Sequence, residues 1–227
     1  MGTVDPSGDS TPQPRVVAIT DRRLMVPADV LDSRDWAAIA DAFGAAIERA
    51  VAGCPAGTVL VQVREKDLDG RPLLALVRAA QPFAPVMVND RLDVALVAGA
   101  HGVHLPERGI AIADARALAP SLRLGVSRHA APGDVAAAGA ADFVHLGPIW
   151  PTPSKPGATP LGPAALAWPH GRATLVAVGG IDTAERAAAA ATAGADAVAV
   201  IRAAWTGASL ATFVAAVDSG LVRRFAP

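Results

Sequence analysis

The sequence has little of what would mark a secreted, membrane-bound or nucleic-acid-binding protein. Cys54 is the one cysteine among 227 residues, so the chain forms no internal disulfide and holds no CxxC pair for zinc. A formal net charge of −1 gives no electrostatic reason for a nucleic-acid partner. No charge-free apolar run is long enough to cross a bilayer. These absences predict a cytoplasmic protein that binds neither nucleic acid nor membranes.

The first residues differ in character from the rest. Residues 1–14 are polar and proline-rich without an apolar core, which predicts no signal peptide and an N-terminal extension without fixed structure. The remaining residues 15–227 match the length of a single α/β barrel domain, which is commonly about 200–250 residues.

Eight short apolar segments alternate with stretches of helical periodicity. Their hydrophobicity is continuous, which is typical of parallel strands buried on both faces. The predicted strands are Val16–Ile19, Thr58–Val63, Pro85–Val88, Gly102–Leu105, Leu122–Val126, Asp142–Leu146, Thr174–Val178 and Ala197–Ile201. The predicted helices are Asp35–Val51, Arg71–Ala80, Arg91–Ala98, Ile112–Ala119, Asp134–Gly139, Thr183–Ala193 and Ala208–Asp218.

A helix-to-strand transition recurs three times, where Gly99, Gly139 and Gly194 each end a helix and the chain turns directly into a strand. Eight such units predict a closed (β/α)8 TIM barrel. The alternative is an open doubly wound sheet. That fold would favour a GxGxxG motif after the first strand, and none follows Ile19.

Polar residues collect where the predicted strands end, which is the end that carries the site in barrels of this kind. Gln62 and Arg64 share one strand face because they are two residues apart. The full set is Gln62, Arg64 and Lys66 from strand two, Asn89 and Asp90 from strand three, His104 and Glu107 from strand four, Ser127 and His129 from strand five, and Thr152, Ser154 and Lys155 from strand six.

The stretch after strand six suits neither helix nor strand. Four prolines between Pro148 and Pro156 make it stiff, and it presents two hydroxyls and the Lys155 ammonium. Together with Arg64 and Lys66, Lys155 predicts a polyanion site. The alternatives are a solvated loop holding one lysine, and a mixed-charge loop at residues 64–67.

Two further features fit phosphate chemistry. Asp90 is one carboxylate beside these cations, and magnesium commonly lies between one or two carboxylates and substrate phosphates. Gly179 and Gly180 precede a helix start and expose backbone amides, although a tight turn explains two glycines equally well. His101 and His145 lie within buried strands and are interpreted as structural residues.

Six motifs occur in one order along the chain: REKD at Arg64, ND at Asn89, GVHL at Gly102, GVSRH at Gly125, GPIWPTPSK at Gly147 and GGI at Gly179. This order resembles the thiamine phosphate synthase family and its TenI branch of thiazole tautomerases, from Val16 to Trp205. The resemblance implies a transferase that joins hydroxymethylpyrimidine pyrophosphate to thiazole phosphate and releases pyrophosphate, with Mg²⁺ as cofactor.

The resemblance also implies roles for individual residues. Gln62 would contact the pyrimidine, and Asp90 would bind Mg²⁺. The pyrophosphate would be held by Arg64, Lys66, Asn89, Ser127 and Lys155. Thr152, Ser154 and Gly180 would serve the thiazole phosphate side, and His104, Gly179, Ile201 and Arg202 would line the substrate site. His129 stands where tautomerases transfer a proton, although synthases carry a histidine there too.

The sequence departs from the synthase pattern after GVHL. Gly109 stands where the family has a second magnesium-binding aspartate, and Glu107 is the nearby carboxylate that would have to replace it. Arg202 replaces a serine that usually follows strand eight. Three hypotheses therefore stand: a synthase, a TenI-like tautomerase, and a non-catalytic protein that binds thiazole phosphate or thiamine phosphate. The sequence leaves open whether the chain forms a homo-oligomer.

Overall fold

A computed structural model describes residues 13–129, 140–167 and 171–225. The predicted extension before residue 13 and the predicted helix Asp134–Gly139 lie outside the described residues. Within the described residues, no helix is long and apolar enough to span a bilayer.

Eight parallel strands close into a barrel in which each strand pairs with its neighbours in chain order. β1 pairs with both β2 and β8, so the sheet has no free edge. The strands are β1 Val16–Ile19, β2 Val59–Val63, β3 Val86–Asn89, β4 Gly102–Leu105, β5 Arg123–Arg128, β6 Phe143–Leu146, β7 Thr174–Val178 and β8 Ala197–Val200. The predicted TIM barrel is confirmed, and the open sheet was the wrong alternative.

Nine helices surround the barrel in the described part of the chain. They are α1 Arg22–Met25, α2 Ala28–Ser33, α3 Trp36–Val51, α4 Gly70–Ala80, α5 Leu92–Ala98, α6 Ile112–Leu118, α7 Ala184–Ala193, α8 Arg202–Trp205 and α9 Leu210–Arg224, with a 3₁₀ turn at Pro163–Leu166. The short α1, α2 and α8 were not predicted, and α9 ends at Arg224 rather than Asp218. β5 continues to Arg128, so Ser127 lies within a strand rather than after it.

The helix ends and contacts follow from local chemistry. The Asp35 carboxylate accepts hydrogen bonds from the amides of Ala37 and Ala38 and so caps α3. Gly220 of α9 lies directly on α7, because a Cβ there would be 2.4 Å from the carbonyl oxygen of Ala188. The alanine-rich outer helices therefore pack backbone against backbone.

Two apolar clusters form the core. The larger one lies between strands and helices and includes the fully buried Phe43, Leu76 and Leu124. The smaller one fills the barrel interior and includes Leu60, Met87, Phe143 and Val176. Since side chains alternate along a strand, the interior cluster fixes which residues of each strand point inward.

Candidate active site

The four charged residues after β2, at positions 64–67, differ in their pairing: in the described part of the chain, the two acids form ion pairs and the two bases do not. Glu65 is 7% exposed, and its carboxylate accepts hydrogen bonds from Thr20 Oγ1 at 2.7 Å and from the Arg22 guanidinium at 3.0 Å. Arg22 also binds both carboxylate oxygens of Asp67 at 2.7 Å. The two acids are therefore paired with Arg22, while Arg64 and Lys66 form no ion pair within the described residues. Sequence reasoning missed Arg22.

The pKa values of these groups reflect this pairing. Hydrogen bonding to Arg22 is the largest cause of a pKa of about 2 at Asp67. Burial raises the pKa of Glu65, against the opposing effect of its bonds to Thr20 and Arg22. Arg22 has a raised pKa, chiefly through its hydrogen bonds to Asp67.

Arg64, Lys66 and Lys155 come together at the C-terminal end of the barrel. The pKa of Lys155 is lowered, first by burial and then by repulsion from Arg64 and Lys66, with Glu107 acting in the opposite direction. Arg64 and Lys66 follow the end of β2, and Lys155 lies on the loop after β6. All three cations thus lie at the end of the barrel where the sequence predicts a polyanion site, and their role there stays a prediction.

His129 connects Lys155 to the barrel. Its Nδ1 lies 2.8 Å from the carbonyl oxygen of Gly147, and because that oxygen only accepts, we assign the proton to Nδ1. Lys155 Nζ lies 3.0 Å from Nε2 and 3.2 Å from Nδ1, so the ammonium is held against the imidazole ring. Glu107 Oε2 lies 4.0 Å from the same Nε2. His129 thus supports the lysine.

The loop after β6 is fixed at its base by β7. Ile149 N donates to Val178 O at 2.9 Å, and Trp150 N donates to Gly179 O at 3.1 Å. Gly147 permits this approach, because a Cβ there would lie 2.0 Å from Val178 O. Beyond this base the loop is exposed, and the hydroxyls of Thr152 and Ser154 lie 2.9 Å apart.

Gly179 and Gly180 have φ angles of +96° and +68°, in the region that favours glycine. Arg186 donates to the Gly180 carbonyl oxygen at 2.6 Å, and its guanidinium lies 5.8 Å from the centre of the Trp150 ring. Arg186 and Trp150 therefore shape the glycine turn, a role that the sequence did not indicate for either. Thr183 then caps α7.

The predicted metal ligands lie on two loops. Asp90 is exposed, with a left-handed φ of +68°, and its amide donates to the carbonyl oxygen of His104 at 2.8 Å. Strain of this kind clusters at functional sites. Glu107 and Gly109 lie on an exposed turn in which Gly109 N donates to Pro106 O. Among the described residues, no three His, Cys, Asp or Glu side chains are grouped to hold a metal alone.

The barrel interior below these loops is polar near its mouth. Gln62 donates to Asn89 Oδ1 at 3.2 Å, and His104 Nε2 lies 2.8 Å from Ser127 Oγ. His145, interpreted from sequence as structural, lies beside His104 with ring centroids 4.3 Å apart. Four of the predicted substrate residues are thus adjacent in the interior.

The end of β8 contributes less. Ile201 packs against the interior cluster, whereas Arg202 is exposed at the start of α8. Trp205 Nε1 donates to the carbonyl oxygen of Ile19 and ties α8 to β1. An apolar groove of about 600 Å³ between α3 and α4, lined by Trp36 and Pro72, lies on the outer ring and carries no catalytic groups.

The fold and site define a class: a TIM barrel with a cationic mouth suited to phosphorylated substrates. A family model described as thiamine monophosphate synthase matches residues 30–204. The chain is 37% identical over 199 residues to the thiamine-phosphate synthase of Chloroflexus aurantiacus, covering 83% of this chain and 87% of that protein. It therefore belongs to the thiamine monophosphate synthase family.

Other relatives agree over shorter stretches. The chain is 40% identical over 158 residues to the thiamine-phosphate synthase of Gloeobacter violaceus, which covers 65% of this chain and 46% of that protein. The chain thus spans about half the length of that relative. A solved structure described as thiamine phosphate pyrophosphorylase from Pyrococcus furiosus superposes with a TM-score of 0.67 at 23% identity, covering 93% of this chain and 97% of that one. At that identity the likeness supports the fold.

Proposed function

We propose that the protein is a thiamine phosphate synthase-like transferase, which joins hydroxymethylpyrimidine pyrophosphate to thiazole phosphate and releases pyrophosphate. The observation that carries this proposal is the placement of Arg64, Lys66 and Lys155 at one end of the barrel in a chain of this family. Three cations at one end of the barrel suit a pyrophosphate better than a monophosphate, because each additional anionic oxygen gains a charged donor.

In this proposal, Arg64, Lys66 and Lys155 bind the pyrophosphate and stabilise the charge that develops as its bond to the pyrimidine methylene carbon breaks. The electron-rich pyrimidine stabilises the cation left on that carbon, and the thiazole nitrogen then attacks it to form the new C–N bond. No general base is central to this sequence. His129 acts by holding Lys155, because its Nδ1 is bonded to Gly147 O and the Lys155 ammonium lies against its ring.

We propose Mg²⁺ as the cofactor. This proposal is supported by Asp90, which directly follows β3. The exposed carboxylate of Asp90 accepts no hydrogen bond from the described residues. One carboxylate with substrate phosphates is a usual magnesium environment. Asp90 would hold the ion with the pyrophosphate, and Glu107 is the candidate second carboxylate. When bound, Mg²⁺ would neutralise part of the leaving group's charge.

The thiazole phosphate would be held on the other side of the mouth. The backbone at Gly179 and Gly180, shaped by Arg186, is the candidate phosphate contact, with Thr152 and Ser154 on the facing loop. Ile201 and Arg202 remain candidate substrate contacts at β8. A cytoplasmic location and self-association remain predictions.

A single assay tests this function against the alternatives. Purified protein is incubated with Mg²⁺, hydroxymethylpyrimidine pyrophosphate and thiazole phosphate, and thiamine phosphate and pyrophosphate are measured together. Equal amounts of both products are expected. Isomerisation of a thiazole carboxylate phosphate without Mg²⁺, and no coupling, would instead identify a tautomerase. Tight binding of thiazole phosphate or thiamine phosphate without turnover would identify a binding protein.

A further inference from the structure

One layer of the barrel interior is polar, whereas the layer below it is mainly apolar. Gln62 of β2 is in register with Met87 of β3, and Met87 is in register with Gly102 of β4. His104 lies two residues after Gly102. The same two-residue step relates His104 to His145, and His145 to Ala199. In an eight-stranded barrel this step brings residues of alternate strands to equal height. Gln62, His104, His145 and Ala199 therefore form one layer.

Three buried atoms of this layer have no hydrogen-bond partner among the described residues: Gln62 Oε1, His104 Nδ1 and His145 Nε2. The residues that carry them are only 2%, 3% and 2% exposed, respectively. Buried polar atoms in native proteins are almost always hydrogen-bonded, and an exception needs an explanation. Three exceptions at one height point to a ligand that supplies the missing partners.

The layer is uncharged. Burial lowers the pKa of His145 to about 3 and that of His104 well below 6.5, with further lowering at His104 by His145 and Arg64. A neutral imidazole offers one donor and one acceptor, as a side-chain amide offers both. The layer therefore presents mixed donors and acceptors without a cation. Such a surface suits a flat nitrogen heterocycle and not a phosphate.

The order of the groups along β2 fits this ligand. Arg64 follows Gln62 by two residues and belongs to the cationic cluster at the mouth. A ring lying against the layer would therefore place a pyrophosphate substituent at the cations. Asn89 and Ser127, which bond Gln62 and His104 at 3.2 and 2.8 Å, lie on the neighbouring strands, and their side chains would exchange these bonds for substrate atoms.

We propose that His145 is a substrate-contacting residue whose Nε2 hydrogen-bonds the pyrimidine ring, so that it selects a nitrogen heterocycle over a hydrocarbon ring. This inference rests on the proposed function and adds to Gln62 a contact from the opposite side of the barrel. His145 also lies against the His104 ring at an interplanar angle of 41°, which holds both imidazoles in place.

The test replaces His145 by Phe, which keeps a ring against His104 and removes both nitrogens. Calorimetric titrations compare hydroxymethylpyrimidine pyrophosphate with benzyl pyrophosphate, which has no ring nitrogen. The pyrimidine ligand should bind His145→Phe about tenfold more weakly, the cost of one hydrogen bond, while the benzyl ligand binds as before. His145→Gln, whose amide reaches a similar position to Nε2, should recover part of the preference.

Two further measurements separate a substrate contact from a structural role. The melting temperature of His145→Phe should not fall, because the substitution removes an unpartnered buried polar atom. The KM for thiazole phosphate should be unchanged. An unaltered preference between the two ligands, or equal weakening of both, would overturn the inference while leaving the proposed function intact. A wild-type protein that does not bind the pyrimidine pyrophosphate would overturn both.

Discussion

Replacing Arg22 by Met should destabilise the protein, because it leaves the buried Glu65 carboxylate without its charged partner. Met keeps most of the apolar stem and removes the guanidinium, so Glu65 loses its charged partner inside the protein. The side chains of Arg22 and Glu65 are 12% and 3% exposed. Both are therefore well shielded from solvent, and water cannot replace the lost interaction.

The expected magnitude is about 3 kcal/mol. Removing one partner of a buried ion pair typically costs about 3–5 kcal/mol. The lower end applies here, because Thr20 Oγ1 and the backbone amide of residue 22 still donate to Glu65 Oε1. In a protein of this size, that loss corresponds to a fall in melting temperature of about 6–12 °C.

The loss of stability in Arg22→Met should depend on pH through the ionisation of Glu65. Burial already raises the pKa of Glu65, and losing Arg22 raises it further. Between the unfolded pKa of about 4.3 and that higher value, the folded state of the variant binds more protons than the unfolded state. The stability deficit relative to the wild type is therefore largest above the variant's folded pKa. It shrinks as pH falls towards the folded pKa of Glu65 in the wild type, below which this carboxyl is protonated in both folded proteins.

Urea unfolding of both proteins at several pH values measures this deficit. Arg23→Met is the matched control, since Arg23 lies in the same helix, is 67% exposed and pairs with Asp67 at 2.7 Å. It should change stability by less than about 1 kcal/mol, as exposed pairs do. The reasoning is refuted if Arg22→Met costs no more than Arg23→Met, or if its deficit does not depend on pH. Adding Glu65→Gln to Arg22→Met should restore part of the loss.

Three further substitutions test the site and its support. Lys155→Ala should reduce turnover about tenfold to a hundredfold while changing stability by less than about 0.5 kcal/mol. Lys155→Arg should recover only part of the lost turnover. Normal turnover in a folded Lys155→Ala protein would contradict the proposed role. Gly109→Asp should lower the Mg²⁺ concentration for half-maximal rate, and an unchanged requirement would show that another group already serves. Gly147→Ala should cost more than about 3 kcal/mol or prevent folding, since its Cβ would lie 2.0 Å from Val178 O. Gly157→Ala is the control, because a Cβ there meets nothing within 4 Å; its φ of +80° makes a backbone cost of about 1–2 kcal/mol the expected loss. Similar losses for the two variants in urea unfolding would contradict the steric explanation.

The barrel could be predicted because its strands are continuous apolar runs between clear turns. β5 was predicted too short because its last residues, Ser127 and Arg128, are polar, although the register with β6 extends through both. The short helix α1 could not be predicted, since four residues give no periodicity. Its first residue, Arg22, contacts Glu65 and Asp67, which lie more than forty positions away in the chain.

The site could be predicted only as a set of residues near one end of the barrel. The alternating charges at residues 64–67 gave no indication of which would pair, because the partner comes from α1. His145 carried a usable signal, its two-residue spacing from the interior Phe143. That signal was hidden because strands buried on both faces show no alternation that separates the inner face from the outer one.

In the ligand-free barrel, the positive charges of Arg64, Lys66 and Lys155 repel one another. Burial is the largest cause of the lowered pKa of Lys155, and repulsion from Arg64 and Lys66 adds to it, whereas Glu107 acts in the opposite direction. A bound polyanion favours the ammonium form, so binding raises this pKa again. The affinity for pyrophosphate and the acidity of Lys155 are therefore linked quantities, each changing the other by the same free energy.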